Sequence, residues 1–153
     1  IVIRKVVTVM KISTKGRYAL RLMLDLAINH TGNYIPLKTV AQRQNISDKY
    51  LEQIIHQLSK AGFVQSARGA QGGYRLARTP DEYTVGEILR TVEGSLAPVS
   101  CLDCKTPCDQ FDSCITIGLY KKIQQAIDGV VDHTTLHDMI SDYRAKHPKA
   151  ENI

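Results

Sequence analysis

Four cysteines fall inside one short stretch, CLDCKTPCDQFDSC at 101–114, and the chain has no others. Their spacing is Cys101-x2-Cys104-x3-Cys108-x5-Cys114. Four thiolates on a loop able to wrap an inorganic core can hold an iron–sulfur cluster, and the spacing leaves open whether it is 2Fe–2S or 4Fe–4S. Zinc is the alternative. It also accepts four thiolates, but structural zinc sites usually pair two short knuckles, and the x5 gap before Cys114 fits that pattern poorly. Thiol switching or disulfide formation is a third use of the same residues. A thioredoxin-like role for Cys101-x2-Cys104 requires a strand before the motif and a helix opening on it, whereas Pro98 and Pro107 mark a loop here. No nucleophile elbow or phosphate-binding glycine loop is present, so no enzymatic activity is expected. His133 and His137 stand at the spacing of one helical turn, a geometry that can bind zinc, but the glutamate of a metalloprotease motif is missing between them.

The ligand class depends on the compartment. No apolar run approaches the roughly 20 residues that span a bilayer, and the opening residues IVIRKVVTVMKI place basic residues inside the apolar stretch and lack a cleavage site. The expectation is a cytoplasmic protein without a membrane partner, in which thiols stay reduced and clustered cysteines bind metal or do redox work. Ile1 to Val9 read either as a remnant or as an upstream start, since Met10 begins a more convincing amphipathic segment. A chain of 153 residues can bury a core without covalent staples.

Around the cysteines, periodicity predicts a mainly helical chain with one small β-hairpin. From Ser13 to about His30 the polar residues Arg17, Arg21, Asp25 and Asn29 recur every four positions, which predicts a helix showing water one narrow stripe. Pro36 suits the first turn of a second, short helix with Leu37, Val40 and Ala41 inward. Gln44-Asn45 makes a turn. Ser47 then caps a third helix with Leu51, Ile54, Ile55 and Leu58 inward, ended by Gly62. Phe63-Val64 and Tyr74 to Leu76 are strands flanking SARGAQGG, whose glycines permit a hairpin turn. Thr84 and Glu87 form a capping box for a fourth helix with Val85, Ile88, Leu89 and Val92 inward, closed by Gly94. Beyond the cysteines, Leu119, Tyr120, Ile123, Ala126, Ile127 and Val130 trace an apolar stripe on a long helix of about five turns. A last helix runs from near Thr134 to Tyr143. A long amphipathic helix on so small a chain points to pairing with a second copy, and packing onto its own domain is the alternative.

Helix, helix, turn, helix, hairpin is the order of a winged helix-turn-helix. The division expected is a DNA-binding domain at 10–94, a cysteine-rich cluster-binding loop at 95–118, a dimerisation helix with a C-terminal helix at 119–145, and flexible ends at 1–9 and 146–153. Charge agrees: residues 1–93 carry 14 Lys and Arg against 7 Asp and Glu, whereas residues 94–153 carry 6 against 8. The basic front suits a polyanion. The second helix of such a motif enters the major groove, and here its outward face offers Asp48, Lys49, Glu52, Gln53, His56 and Gln57, residue types that pair with base edges. Arg68 beside Gly69 can place a guanidinium in a minor groove. Lys11, Lys15, Arg17, Lys38 and Arg75 are candidates for phosphate contacts.

The stretches MKISTKGRYALRLMLDLA and YLEQIIHQLSKAGFVQSARGAQGGYRLAR, followed by the cysteine cluster, resemble the IscR/NsrR-type repressors of the Rrf2 family, dimeric winged-helix regulators. The resemblance runs from about Met10 to Tyr143. It implies base contact near Lys49, Glu52 and Gln53, minor-groove contact from Arg68, double-stranded operator DNA and a second copy as partners, and an iron–sulfur cluster near the dimer interface. It also exposes a departure. IscR-like members place a histidine three residues after the last cysteine, where this chain has Ile117, and NsrR-like members draw a carboxylate from the first helix, where this chain has Arg17. The extra cysteine supplies what both lack, giving an all-cysteine site of Cys101, Cys104, Cys108 and Cys114. The alternative leaves Cys101 or Cys104 free, with Asp103, Asp109, Asp112 or an outside ligand completing the shell.

Overall fold

The computed structural model describes residues 12–103 and 108–148. Six helices and one hairpin follow in the order α1 (Thr14–Ile28), α2 (Leu37–Gln44), α3 (Asp48–Lys60), β1 (Val64–Ala67), β2 (Gly73–Leu76), α4 (Val85–Glu93), α5 (Ile117–Val131) and α6 (Leu136–Lys146). Short 3-10 turns lie at Pro80–Glu82 and Ser100–Leu102. Each main cap is the residue the sequence offers: Ser13, Ser47, Thr84 and Thr135 close the N-termini of α1, α3, α4 and α6, the last two as capping boxes with Glu87 and Asp138. Gly94 ends α4 with a φ of 84°, in the left-handed region.

The core forms where α1, α3 and α4 meet. Leu22, Met23 and Leu26 of α1 pack with Leu51, Ile54, Ile55 and Leu58 of α3 and with Ile88 and Val92 of α4. Burying side chains of this size stabilises by roughly 1.5–3 kcal/mol each. Glu93, the last residue of α4, reaches across to the start of α1. Its Oε1 accepts from the Ser13 N–H at 2.8 Å, the Ser13 hydroxyl at 2.6 Å and the Gly16 N–H at 3.1 Å. A Cβ on Gly16 would strike that carboxylate, so the glycine is what permits the approach.

The first helix departs from expectation at Asp25, which is 1% exposed rather than on a water-facing stripe. Residues four apart advance about 40° more than a full turn on an α-helix, so a period-four stripe winds round the helix. Arg17 and Arg21 are exposed while Asp25 has turned under α2. There Arg43 Nε donates to its carboxylate at 3.0 Å and Gln44 Nε2 at 2.9 Å. The hydrogen bond to Asp25, opposed by partial burial, raises the pKa of Arg43 on balance. A buried carboxylate needs such partners.

The fifth helix is shorter than predicted, 15 residues or about four turns, and none of its residues is buried. Leu119 and Val130 are 57% and 65% exposed and Tyr120 and Ile127 half-buried, so much of its apolar stripe is left uncovered by the described residues. In contrast, α6 is anchored: Leu136 is fully buried, its N–H donates to Tyr83 O at 3.1 Å, and Val85 N–H donates to Thr134 O at 2.9 Å. It continues past Tyr143 to Lys146, and the His147 ring stacks on Tyr143. Of the ends expected to be flexible, 1–9 and 146–153, only Lys146 to Pro148 fall within the described residues.

Tyr83 joins the hairpin to the helical core. Its fully buried hydroxyl donates to Phe63 O at 2.7 Å and accepts from the N–H groups of Ala77 at 3.0 Å and Arg78 at 2.8 Å. Its ring meets Phe63 edge-on, and the Arg78 guanidinium lies over it. Replacing Tyr83 by Phe strands the Arg78 N–H and should lower unfolding free energy by about 1–3 kcal/mol. Urea titration checks this, with the midpoint moving and the slope unchanged.

Candidate nucleic-acid interface and cysteine loop

The turn between α2 and α3 is set by Asn45, the non-glycine residue with a positive φ among the described residues (52°). Asparagine tolerates this left-handed conformation. Ile46 tucks into the core, and the Ser47 hydroxyl accepts from the Tyr50 N–H at 3.3 Å. With one face of α3 committed to the core, Asp48, Lys49, Glu52, Gln53 and His56 are exposed. Gln57 differs: it is half-buried, and its Oε1 is buried without a partner among the described residues.

The hairpin stands beside this helix. β1 and β2 pair antiparallel, with Val64 opposite Leu76, Gln65 opposite Arg75, Ser66 opposite Tyr74 and Ala67 opposite Gly73. The Ile35 segment adds a bridge to the outer edge of β2, exchanging hydrogen bonds with Tyr74 at 2.9 and 2.8 Å. Only glycine serves at position 73. Its φ is 151°, and a Cβ there would strike the backbone of Ile35 and Pro36. The close approach locks the hairpin to the start of α2, so helix-turn-helix and wing form one body.

Between α3 and the wing lies a groove of about 380 Å³ that brings together Glu52, His56 and Ser59 on one wall and Ser66, Arg68 and Tyr74 on the other. Arg68 is exposed at the foot of the turn, next to Gly69 with its φ of 102°. Of the residues singled out from sequence, Glu52, His56 and Arg68 thus share one groove. Lys49 and Gln53 are exposed on the same helix but do not line it; Lys38 is exposed on α2 and Lys15 half-exposed on α1. Lys11 lies outside the described residues. Sequence inspection missed Ser66 and Tyr74 as groove residues, although strand alternation places this opposed pair on one face of the hairpin.

The same alternation removes Arg75 from the phosphate candidates. It lies on the opposite face of the hairpin, where Nε donates to Gln65 Oε1 at 3.0 Å, Nη1 donates to Gly32 O at 3.1 Å, and the guanidinium stacks over Tyr34. The His133 and His137 pair is also undone. His133 precedes α6, with its Nδ1 3.1 Å from Gly129 O in α5, so the two imidazoles do not share a helical turn.

The cysteine loop leaves α4 at Gly94 and enters α5 at Thr116. Cys101 sits half-exposed in the 3-10 turn, Cys108 is exposed, and Cys114 is half-exposed; all three are free thiols. Cys104 lies outside the described residues. The Cys114 Sγ is 3.3 Å from the Thr116 hydroxyl, which, with the Thr116 N–H, holds its pKa below the usual thiol value. By donor chemistry the loop fits a thiolate-held group: these thiols are neither paired nor committed to the core. They are not gathered, however, and among the described residues no three Cys, His, Asp or Glu side chains are placed to share one metal ion.

Residues 12–142 match the model of the Rrf2 family, an iron-dependent transcriptional regulator. The chain belongs to the Rrf2 family. It is 44% identical over 132 residues to the HTH-type transcriptional regulator CymR of Bacillus subtilis, covering 86% of this chain and 91% of that protein. It is 38% identical over 133 residues to the HTH-type transcriptional regulator IscR of Aliivibrio salmonicida, covering 87% and 79%. Among solved structures, it matches that of CymR, the global cysteine regulator of B. subtilis, with a TM-score of 0.71 at 44% identity, covering 86% of this chain and 96% of that one. It matches T. potens IscR with a TM-score of 0.73 at 40% identity, covering 90% of each. The winged helix-turn-helix fold and the place among Rrf2 transcriptional regulators are therefore established.

The Gly73 contact generates a test of this architecture. Gly73→Ala should destabilise the protein by about 1–3 kcal/mol, through overpacking against backbone and a disfavoured φ. Hydrogen exchange should quicken first at the Ile35 and Tyr74 amides; unchanged protection there would contradict the assignment of Gly73 as the lock.

Proposed function

We propose that this Rrf2-family regulator is a homodimeric repressor whose operator affinity is set by an iron–sulfur cluster on Cys101, Cys104, Cys108 and Cys114. The observation that carries the reading is one of placement. A loop whose described thiols are free and accessible is inserted between the reading head and a helix, α5, whose apolar stripe is largely uncovered by the described residues. A second copy covers that stripe, and the domain division at 10–94, 95–118 and 119–145 follows these roles. No described helix is long and apolar enough to cross a membrane, which accords with action on DNA in the cytoplasm.

At the operator, Lys49, Glu52, Gln53 and His56 approach base edges in the major groove and Arg68 enters the adjacent minor groove, while Lys11, Lys15 and Lys38 meet phosphates. A bound cluster would supply a cross-link among segments of one loop that chemical damage can remove. The chain's own part is to hold the thiolates, with Thr116 favouring ionisation of Cys114, and to let the order of the loop bias the pairing of the two heads.

A second reading keeps the head and leaves the loop zinc-bound or metal-free, with signalling through a partner protein or thiol oxidation. It is favoured by the 44% identity to the regulator described as the global cysteine regulator, and by the separation of the described thiols.

Oxygen-free purification with iron, sulfide and zinc quantitation separates the two. The cluster reading expects coloured protein and loss of visible absorbance in Cys108→Ser/Cys114→Ser; colourless wild-type protein after anaerobic reconstitution would overturn it. For the interface, Arg68→Ala should weaken operator binding by about 1–3 kcal/mol, whereas Lys38→Ala should weaken binding to all sequences alike and reduce the salt slope by about 1. Anisotropy titrations across salt concentrations read both effects.

A further inference from the structure

We propose that Arg90 is a specificity-determining residue, fixing the attitude of α5 against the reading head and thereby the half-site spacing that the dimer accepts. The inference rests on the reading above that α5 pairs two copies. No residue of α5 is fully buried, and Tyr120 and Ile127 are only half-buried, so among the described residues apolar packing holds that helix to its own head weakly. Among the described residues, the hydrogen bonds that tie α5 and its C-cap to the head run to Arg90. Its Nη2 donates to Asp128 Oδ1 at 2.6 Å and to Asp132 Oδ2 at 3.2 Å, and Nη1 donates to Asp132 Oδ1. Gln124, one turn earlier on α5, donates to Asp128 Oδ1 at 2.9 Å and braces the carboxylate.

The mount is rigid and the arm is long. Ile88 and Leu89, which lie between Gly86 and Arg90 along α4, are buried in the head. Backbone bonds from Val85 to Thr134 and from Leu136 to Tyr83 pin the far end of α5. That leaves a tilt about residues 132–135 as the free motion, and the planar guanidinium gripping two carboxylates opposes it. An α-helix of this length spans about 22 Å. A tilt of about 10° then displaces its end by about 4 Å, comparable to the base-pair step of about 3.4 Å. Gly86 completes the device: a Cβ there would strike both the Asp132 carboxylate and Arg90 Nη1.

Two variants disturb the bridge by different routes. Arg90→Lys keeps the charge and removes the fork, whereas Gly86→Ala keeps all three charges, favours the helix and pushes Asp132 away. The test selects an operator from random duplexes with the wild-type protein. Its half-sites are then moved together or apart by one and two base pairs, and the affinity of each protein for each duplex is measured alongside sedimentation. Wild type should favour one spacing by about tenfold or more, and both variants should remain dimeric yet discriminate by about threefold or less. Dimeric variants that retain the wild-type spacing profile, at equal or uniformly lower affinity, would overturn the role of Arg90. A monomeric wild type would instead overturn the pairing by α5.

Discussion

The outward face of the reading head is decided by what α3 buries. Leu51, Ile54, Ile55 and Leu58 commit one side of that helix to α1 and α4, and the helical period leaves Lys49, Glu52, Gln53 and His56 no direction but outward. A rotation of α3 that hid one of these polar residues would expose an isoleucine or leucine, at a cost of roughly 1.5–3 kcal/mol per side chain. Presentation of the recognition face is therefore a consequence of core packing. The wing inherits the same rigidity, because Phe63 anchors β1 to Tyr83 and Gly73 admits the Ile35 segment to β2.

The fourth helix extends this logic beyond the head. Its inward face is fixed in the core, while its polar residues grip α5 and the start of α1. Arg90 holds α5, and Glu93 caps the first turn of α1, which carries Lys15. The loop begins at the next residue, Gly94, and its Leu102 and Asp103 border the same cavity as Arg90, Gln124 and Asp128. Under the proposed function, a change in the loop would therefore act on a junction that holds both α1 and α5. No long chain of intermediates is needed.

Local signals were the ones legible in sequence. Ser47, Thr84 and Gly94 announced helix ends because a cap is made with near neighbours, and the apolar stripes of α3 and α4 announced their inner faces because one helix carries the whole pattern. What escaped was long-range. Asp25 read as a surface residue until Arg43 and Gln44, 18 and 19 residues away, came to meet it. Arg75 read as a phosphate contact because its bond to Gly32, 43 residues distant, has no sequence signature. Gly73 looked like half of a turn, whereas the constraint on it comes from the backbone of Ile35. Tyr83, the hinge pin of the wing, stood just before the Thr84 capping box with no pattern to mark it.

The cysteine loop follows a different rule, since nothing in the core depends on it. The described thiols are uncommitted, and the turns between Cys108 and Thr116 are held by backbone bonds within the segment itself. A scaffold of this kind separates the reading of DNA from the reading of a signal. The helix-turn-helix, wing and α4 draw their core from residues outside the loop, which attaches at Gly94 and Thr116. Arg17 is exposed on α1 and Ile117 half-buried at the start of α5, so neither position offers a metal ligand, and the proposed cluster would draw its donors from the loop itself. Because the described start of the loop lies beside Arg90, the proposed cluster, zinc or thiol chemistry would each act at one junction, and the choice among them would be made by the donors rather than by the fold.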